Sequence, residues 1–267
     1  MTTFYASGYG NEKVLILPGL FGGSHAFDAM LQFAPLDRYQ YVAIEYRGFG
    51  AAKGERGLFT LREVVTDVVR VLDFLGWTKV HLVGHSVGAL VAQMVAVAAP
   101  SRIVSIASLA GATAAGVARS PERLAFMTAA ASDAAARSAL IDAGTGARYS
   151  KGFVKWLSQR SEGDCSVTAL AKYAEDAMST NIESQVEGSD VPFLAVVGRH
   201  DPSNTEAATA TTRRLYRHAT LEVIDAGHYP MIECPALTMA VVERFHDRIV
   251  SPSPSVEASV EAPVTIN

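Results

Sequence analysis

Short apolar runs alternate with amphipathic stretches through the first 111 residues. Val14-Leu15-Ile16-Leu17 is a compact apolar run that stops at Pro18-Gly19. A helix is expected over 26–33, then a strand over 41–46 that ends at Arg47-Gly48-Phe49-Gly50. Leu61, Val64, Val65, Val68, Val69, Leu72 and Leu75 follow the 3.6-residue period of a helix. Thr60 stands where an N-cap belongs and Gly76 where the helix should stop. A strand over 79–83, a helix over 89–96 and a strand over 103–109 complete this half. Repeated strand-helix units joined by right-handed crossovers build a parallel sheet covered on both faces.

The rhythm breaks after Gly111. From 112 to 188 no strand is expected, and alanine-rich segments over 121–131, 134–143, 152–160 and 168–178 read as helices. Strand and helix then return: a strand over 191–197, a helix over 204–216, a strand over 220–224 and a last helix over 234–250. The fold class expected is therefore α/β: a mostly parallel, doubly wound sheet with an inserted all-helical cap. The expected parts are a first core segment (1–111), the cap or lid (112–188) and a second core segment (189–250). Residues 251–267 have the Ser/Pro/Glu/Ala composition of a disordered tail.

Composition narrows the class. The chain has 267 residues, 49% of them hydrophobic, enough for one large core. A net charge of −4 with no block of like charges argues against a nucleic-acid partner. No run of apolar residues is long enough for a membrane span, and the first residues lack the pattern of a signal peptide. The two cysteines, Cys165 and Cys234, read as reduced thiols packed like small apolar residues. A cytoplasmic monomer or homodimer acting on a small molecule is the expectation. Histidine spacing gives no metal site, and Gly22-Gly23 lacks a nucleotide-binding context.

The chemistry centres on Gly84-His85-Ser86-Val87-Gly88, a G-x-S-x-G pentapeptide between an expected strand and an expected helix. In that context the serine sits on a sharp turn, exposed at a helix N-terminus. Serine needs a base, and the base needs an orienting group. His228, in Asp225-Ala226-Gly227-His228-Tyr229-Pro230, follows a strand and is the base candidate. Asp201, in Gly198-Arg199-His200-Asp201-Pro202, also follows a strand and is the acid candidate, with Asp225 as its rival. Strand C-terminal ends are where an open α/β sheet assembles its site.

With these three motifs in the order Ser, Asp, His, the chain resembles α/β-hydrolase-fold proteins over about 13–111 and 190–250. The resemblance implies a triad of Ser86, Asp201 and His228. It also implies an oxyanion hole formed by the backbone N–H of Val87 and of Leu20, with Phe21 as the near alternative for the second donor. Pro18 stands where relatives often carry histidine. Glu45-Tyr46-Arg47-Gly48-Phe49-Gly50 resembles the family's Asp-x-Arg-Gly-x-Gly segment, and Arg47 is expected in a structural ion pair.

The activity implied is hydrolysis of a carboxylic ester, lactone or thioester of a small apolar substrate through an acyl-serine, with no cofactor. Carbon–carbon bond hydrolysis or acyl transfer on the same triad is the alternative; a slowly turning small-molecule sensor is another. Phe21, His25, Phe126, Trp156 and Tyr229 are the expected substrate-binding side chains, with Met127, Phe153, Leu157 and Tyr173 as further apolar candidates for the cap's inner face. The low charge of the cap points to an apolar or aromatic acid derivative more than to a phosphorylated one.

Overall fold

The computed structural model describes residues 2–21, 23–118, 120–162 and 165–250; the tail expected over 251–267 and Gly22 lie outside the described residues. Seven strands form one sheet: β1 Phe4–Ser7, β2 Glu12–Leu17, β3 Tyr39–Ile44, β4 Val80–His85, β5 Ile103–Leu109, β6 Phe193–Gly198 and β7 Ala219–Ile224. Their spatial order is β1-β3-β2-β4-β5-β6-β7. β1 runs antiparallel to β3, and every other pairing is parallel.

The helices are α1 Asp28–Leu31, α2 Leu61–Phe74, α3 Val87–Ala98, α4 Pro121–Ser132, α5 Ala134–Gly144, α6 Lys151–Arg160, α7 Val167–Ser179, α8 Glu183–Val186, α9 Glu206–Leu215, α10 Pro230–Glu233 and α11 Pro235–Val250. The parallel strands are apolar along both faces because both faces are covered. Leu15, Leu17, Leu82 and Ile106 pack toward α2 and α3. Their neighbours Val14, Ile16, Val83 and Ala107 pack toward α1 and α11. Thr60 caps α2, its hydroxyl accepting from the Glu63 N–H at 3.2 Å.

Between β5 and β6 the chain is helical. α4 packs on α5 and α7, and α5 packs on α6. Four of these helices start at a side-chain cap: Ser120, Asp133, Ser150 and Ser166 each accept from an N–H of the first turn. Tyr173 of α7 is buried against Tyr46, Phe49 and Phe59, and its hydroxyl donates to the Arg47 carbonyl at 3.2 Å. That contact fixes α7 beside the loop that follows β3.

The main differences from the sequence reading lie in four places. β1 was not expected, being short and weakly patterned. The helix expected over 26–33 is a 3-10 turn, Ser24–Phe27, followed by the single turn α1. The strand expected over 41–46 ends at Ile44, because Glu45 turns inward and accepts from the Ser24 N–H and hydroxyl. The final helix expected over 234–250 runs over Pro235–Val250, and a separate turn, Pro230–Glu233, precedes it; Cys234 between them has a non-helical φ of −144°, as suits a residue before proline.

Candidate active site

β4 delivers Ser86 through a turn that only small residues allow. Ser86 has φ 53° and ψ −123°, a left-handed conformation that costs a non-glycine residue about 1–3 kcal/mol. A Cβ at Gly88 would press on the carbonyl oxygens of Leu17 and Pro18, and one at Gly84 on Gly88 and Ala89. Both glycines are thus needed for α3 to start directly after the serine. The Ser86 backbone is held on both sides: its N–H donates to the Leu109 carbonyl at 3.1 Å, and its carbonyl accepts from Ala112 at 2.9 Å.

His228 sits in the loop between β7 and α10, and Asp201 in the loop between β6 and α9. The Ser86 Oγ lies 3.1 Å from His228 Nε2, and His228 Nδ1 lies 2.8 Å from Asp201 Oδ2. With Nδ1–H donated to the carboxylate, Nε2 presents a lone pair to the serine hydroxyl. The other Asp201 oxygen accepts from the Ser203 and Asn204 amides at 2.8 and 3.1 Å. Asp201 is buried; burial raises its pKa, but the His228 hydrogen bond and charge and the two amides outweigh that and hold it at about 2. The aspartate therefore both ties its own turn and orients the histidine.

Asp225, the rival acid, lies elsewhere. Its exposed carboxylate accepts from His200 Nε2 at 2.7 Å and from Arg148 at 3.2 Å, and the His200 hydrogen bond lowers its pKa.

The His228 loop is held by groups that motif reading did not single out. Asn204 places its side-chain amide 3.2 Å from His228 Nδ1. Glu233, one turn into α10, accepts from the Gly227 and Tyr229 amides. His85 is buried beside the serine, and its Nε2–H donates to the His228 carbonyl at 2.8 Å. Burial and the neighbouring His228 push the His85 pKa down to about 3, so its ring is neutral. The Glu at position 233 could have been noticed as a carboxylate at a helix start five residues after the histidine.

Ser86 and His228 open on a cavity of about 430 Å³, within the range usual for small-molecule sites. The structure brings Leu20, Phe21, Val87, Phe126, Met127 and Tyr229 to its wall. The N–H groups of Leu20, Phe21 and Val87 have no hydrogen-bond partner among the described residues. Burial and the negative charges of Asp201 and Glu233 push the Tyr229 hydroxyl's pKa up, so it stays protonated.

Two expected pocket residues are not on this wall. His25 lies on the 3-10 turn, more than half exposed and 3.2 Å from Asp28; it borders a smaller neighbouring cavity that shares Phe21 and Tyr229. Trp156 lies on the outward side of α6, 45% exposed, with its ring against Phe153 and the Arg160 guanidinium. Among the other apolar candidates, Phe153 stacks on Tyr149, Leu157 borders the smaller cavity and Tyr173 is core. Arg47 forms its expected ion pair, a two-pronged contact with Asp67 at 2.7 and 2.9 Å.

Among known proteins, the chain is 26% identical to 3-oxoadipate enol-lactonase 2 of Acinetobacter baylyi over 226 residues, 79% of this chain and 81% of that protein. A putative carbamate hydrolase, RutD, of Caulobacter vibrioides is 36% identical over 103 residues, 38% of each chain. The fold is shared with the enol-lactonase of Burkholderia xenovorans LB400, at a TM-score of 0.80 and 20% identity over 92% of this chain and 96% of that one. It is shared as well with a bromoperoxidase of Bacillus anthracis, at a TM-score of 0.82 and 14% identity over 91% of this chain and 94% of the other. The model of the alpha/beta hydrolase family matches residues 14–241, and the chain belongs to that family.

Proposed function

We propose that this hydrolase cleaves carboxylic esters or lactones of small molecules through an acyl-serine. The observation that carries the reading is the unbroken chain from Ser86 Oγ through His228 to Asp201, at 3.1 and 2.8 Å, on the wall of a cavity of about 430 Å³. Likeness to a lactonase over four-fifths of its length supports the same class of bond.

In this mechanism Ser86 attacks the carbonyl carbon while its proton passes to His228 Nε2. Asp201, ionised at about 2, stabilises the imidazolium and fixes its tautomer. The oxyanion is taken by the N–H of Val87 and of Leu20. Buried donors left without a protein partner are rare, and a preorganised pair is worth about 3–4 kcal/mol per donor in acyl transfer. His228 returns the proton to the leaving alkoxide. Water then attacks the acyl-serine by the same steps and releases the acid. The helices of 112–188 act as the cap: α4 contributes Phe126 and Met127 and α5 contributes Leu140 to the cavity wall, giving it shape and limiting water.

Hydrolysis of p-nitrophenyl acetate and butyrate by the wild type and Ser86→Ala, with mass analysis after a fluorophosphonate probe, tests this. Sustained turnover that the variant loses, with the probe on Ser86, is expected. Labelling of Ser86 without turnover would instead favour a sensor on the same site, and neither labelling nor turnover would refute the triad.

A further inference from the structure

Arg123 is the only lysine or arginine among the described residues that line the Ser86 cavity. It lies in the first turn of α4, where the helix dipole opposes a positive charge. Helix stability therefore gives no reason for a cation there. Its Nη2 donates to the Ser203 hydroxyl at 2.7 Å. Among the described residues no carboxylate comes within 4.0 Å of it. Asp201 shares the cavity, but its oxygens are taken by His228 and by the Ser203 and Asn204 amides. The nearest acid in sequence, Glu122, accepts from Ser120 instead.

A guanidinium with no carboxylate partner among the described residues, on a wall it shares with the apolar Phe21, Val117, Phe126, Met127 and Leu140, is matched to an anion. Its planar fork suits the two oxygens of a carboxylate. The Ser203 hydroxyl accepts from Arg123 and keeps its own proton to donate to the same ligand. We propose that Arg123 and Ser203 form a recognition site for a carboxylate carried by the substrate, apart from the carbonyl that Ser86 attacks. The substrate class is then the ester or lactone of a dicarboxylic or keto-acid skeleton: an apolar body with one anionic end. This inference rests on the ester-hydrolase reading above, which the apolar cap alone would have assigned to neutral substrates.

The test compares neutral and anionic acyl chains of equal length: p-nitrophenyl butyrate against mono-p-nitrophenyl succinate, and p-nitrophenyl valerate against mono-p-nitrophenyl glutarate. The wild type is expected to favour the anionic member of each pair in kcat/KM. Arg123→Gln should lower that anionic-to-neutral ratio by about 10- to 100-fold, the scale of a lost charge-assisted contact. Arg123→Lys should keep part of the preference, and raised salt should weaken it in the wild type. An unchanged ratio, or equal loss on both ester classes, overturns the proposal. Melting curves of both variants show whether the fold survives. If no ester is turned over, the hydrolase reading fails separately, and glutarate binding to Ser86→Ala, by calorimetry, decides. Binding weakened about tenfold or more by adding Arg123→Gln supports the carboxylate site; absent or equal binding overturns it.

Discussion

Glu233 holds the backbone on both sides of His228. Its carboxylate accepts from the Gly227 amide at 2.8 Å and from the Tyr229 amide at 2.9 Å. The side chain is fully enclosed, and Arg148 supplies its counter-charge at 2.9 Å. Arg148 belongs to the loop between α5 and α6, and the Gly144 carbonyl at the end of α5 accepts from the His228 N–H at 2.8 Å. The helical segment thus helps to set the position of the histidine. In Glu233→Gln one acceptor becomes an NH2 group that opposes a backbone N–H, and Arg148 loses its buried partner and keeps only the exposed Asp225. Breaking a buried pair in this way costs about 3 kcal/mol, a fall of roughly 5–10 °C in Tm. Fluorophosphonate labelling of Ser86 should slow about 10- to 100-fold if His228 is the general base proposed above, since misplacing such a base has an effect of that order. A variant with lowered Tm but an unaltered labelling rate would show that Glu233 serves stability alone.

Asp201 and Asp225 give a direct contrast. Asp201→Asn can keep its turn through the Ser203 and Asn204 amides, but it loses the carboxylate that fixes the His228 tautomer. Its kcat should fall about 10³- to 10⁴-fold, as in the well-studied serine protease triad, while Tm changes little. Asp225→Asn removes only an exposed contact to His200 and Arg148, so activity should stay within about twofold. The reverse ranking in steady-state assays would transfer the orienting role to Asp225.

Much of the fold and of the candidate site is legible in the sequence. The strands of the parallel sheet announced themselves because both their faces are buried, and the G-x-S-x-G turn because its glycines leave no room for a Cβ. The His228 and Asp201 loops were legible from their places after strands. What hid was what depends on three-dimensional packing. β1 gains its identity only by pairing with β3. Trp156 and Phe126 look alike on paper; which of them faces the cavity is set by how α4 and α6 rotate against their neighbours. Glu233 and Arg123 were silent because a charged residue in a first helical turn has many uses, and only its partners distinguish them.

Arg47 anchors the loop after β3. It reaches Asp67 of α2 with two nitrogens, at 2.7 and 2.9 Å, and the Asp67 side chain is only 7% exposed. The ion pair with Asp67 raises the Arg47 pKa, against the opposing effect of burial. Arg47→Lys keeps the charge but not the fork, and about 1–2 kcal/mol of stability should go with it. Asp67→Ala should cost more, because it leaves the guanidinium half-buried without its partner. Urea denaturation of the two variants measures both, and a lysine variant as stable as the wild type would show that charge alone suffices.

The last expectation concerns acid. His81 and His246 pack with ring centroids 4.3 Å apart and planes tilted by 34°, both buried. His81 Nδ1 meets the Ser105 hydroxyl at 2.8 Å, while Nε2 of each ring has no hydrogen-bond partner; the nearest acid to His81 is Glu12, at 3.9 Å. Burial lowers the His81 pKa from 6.5 to about 4, and burial with the neighbouring His81 carries His246 well below its usual value. In the unfolded chain both rings take up protons near 6.5. Between 6.5 and 4 the unfolded state therefore binds more protons, and stability falls as pH falls through that window. His81 alone accounts for on the order of 2–3 kcal/mol. Asp201 does not blur the result: with a folded pKa of about 2 against 3.8 unfolded, its contribution is intact above 3.8 and is lost only as pH drops toward 2. His246→Phe removes one titrating ring and leaves an aromatic of similar size. Its Tm should decline less steeply from pH 7 to pH 4.5 than that of the wild type and should exceed it at the acid end. Parallel melting curves across that range would show that other groups govern acid unfolding.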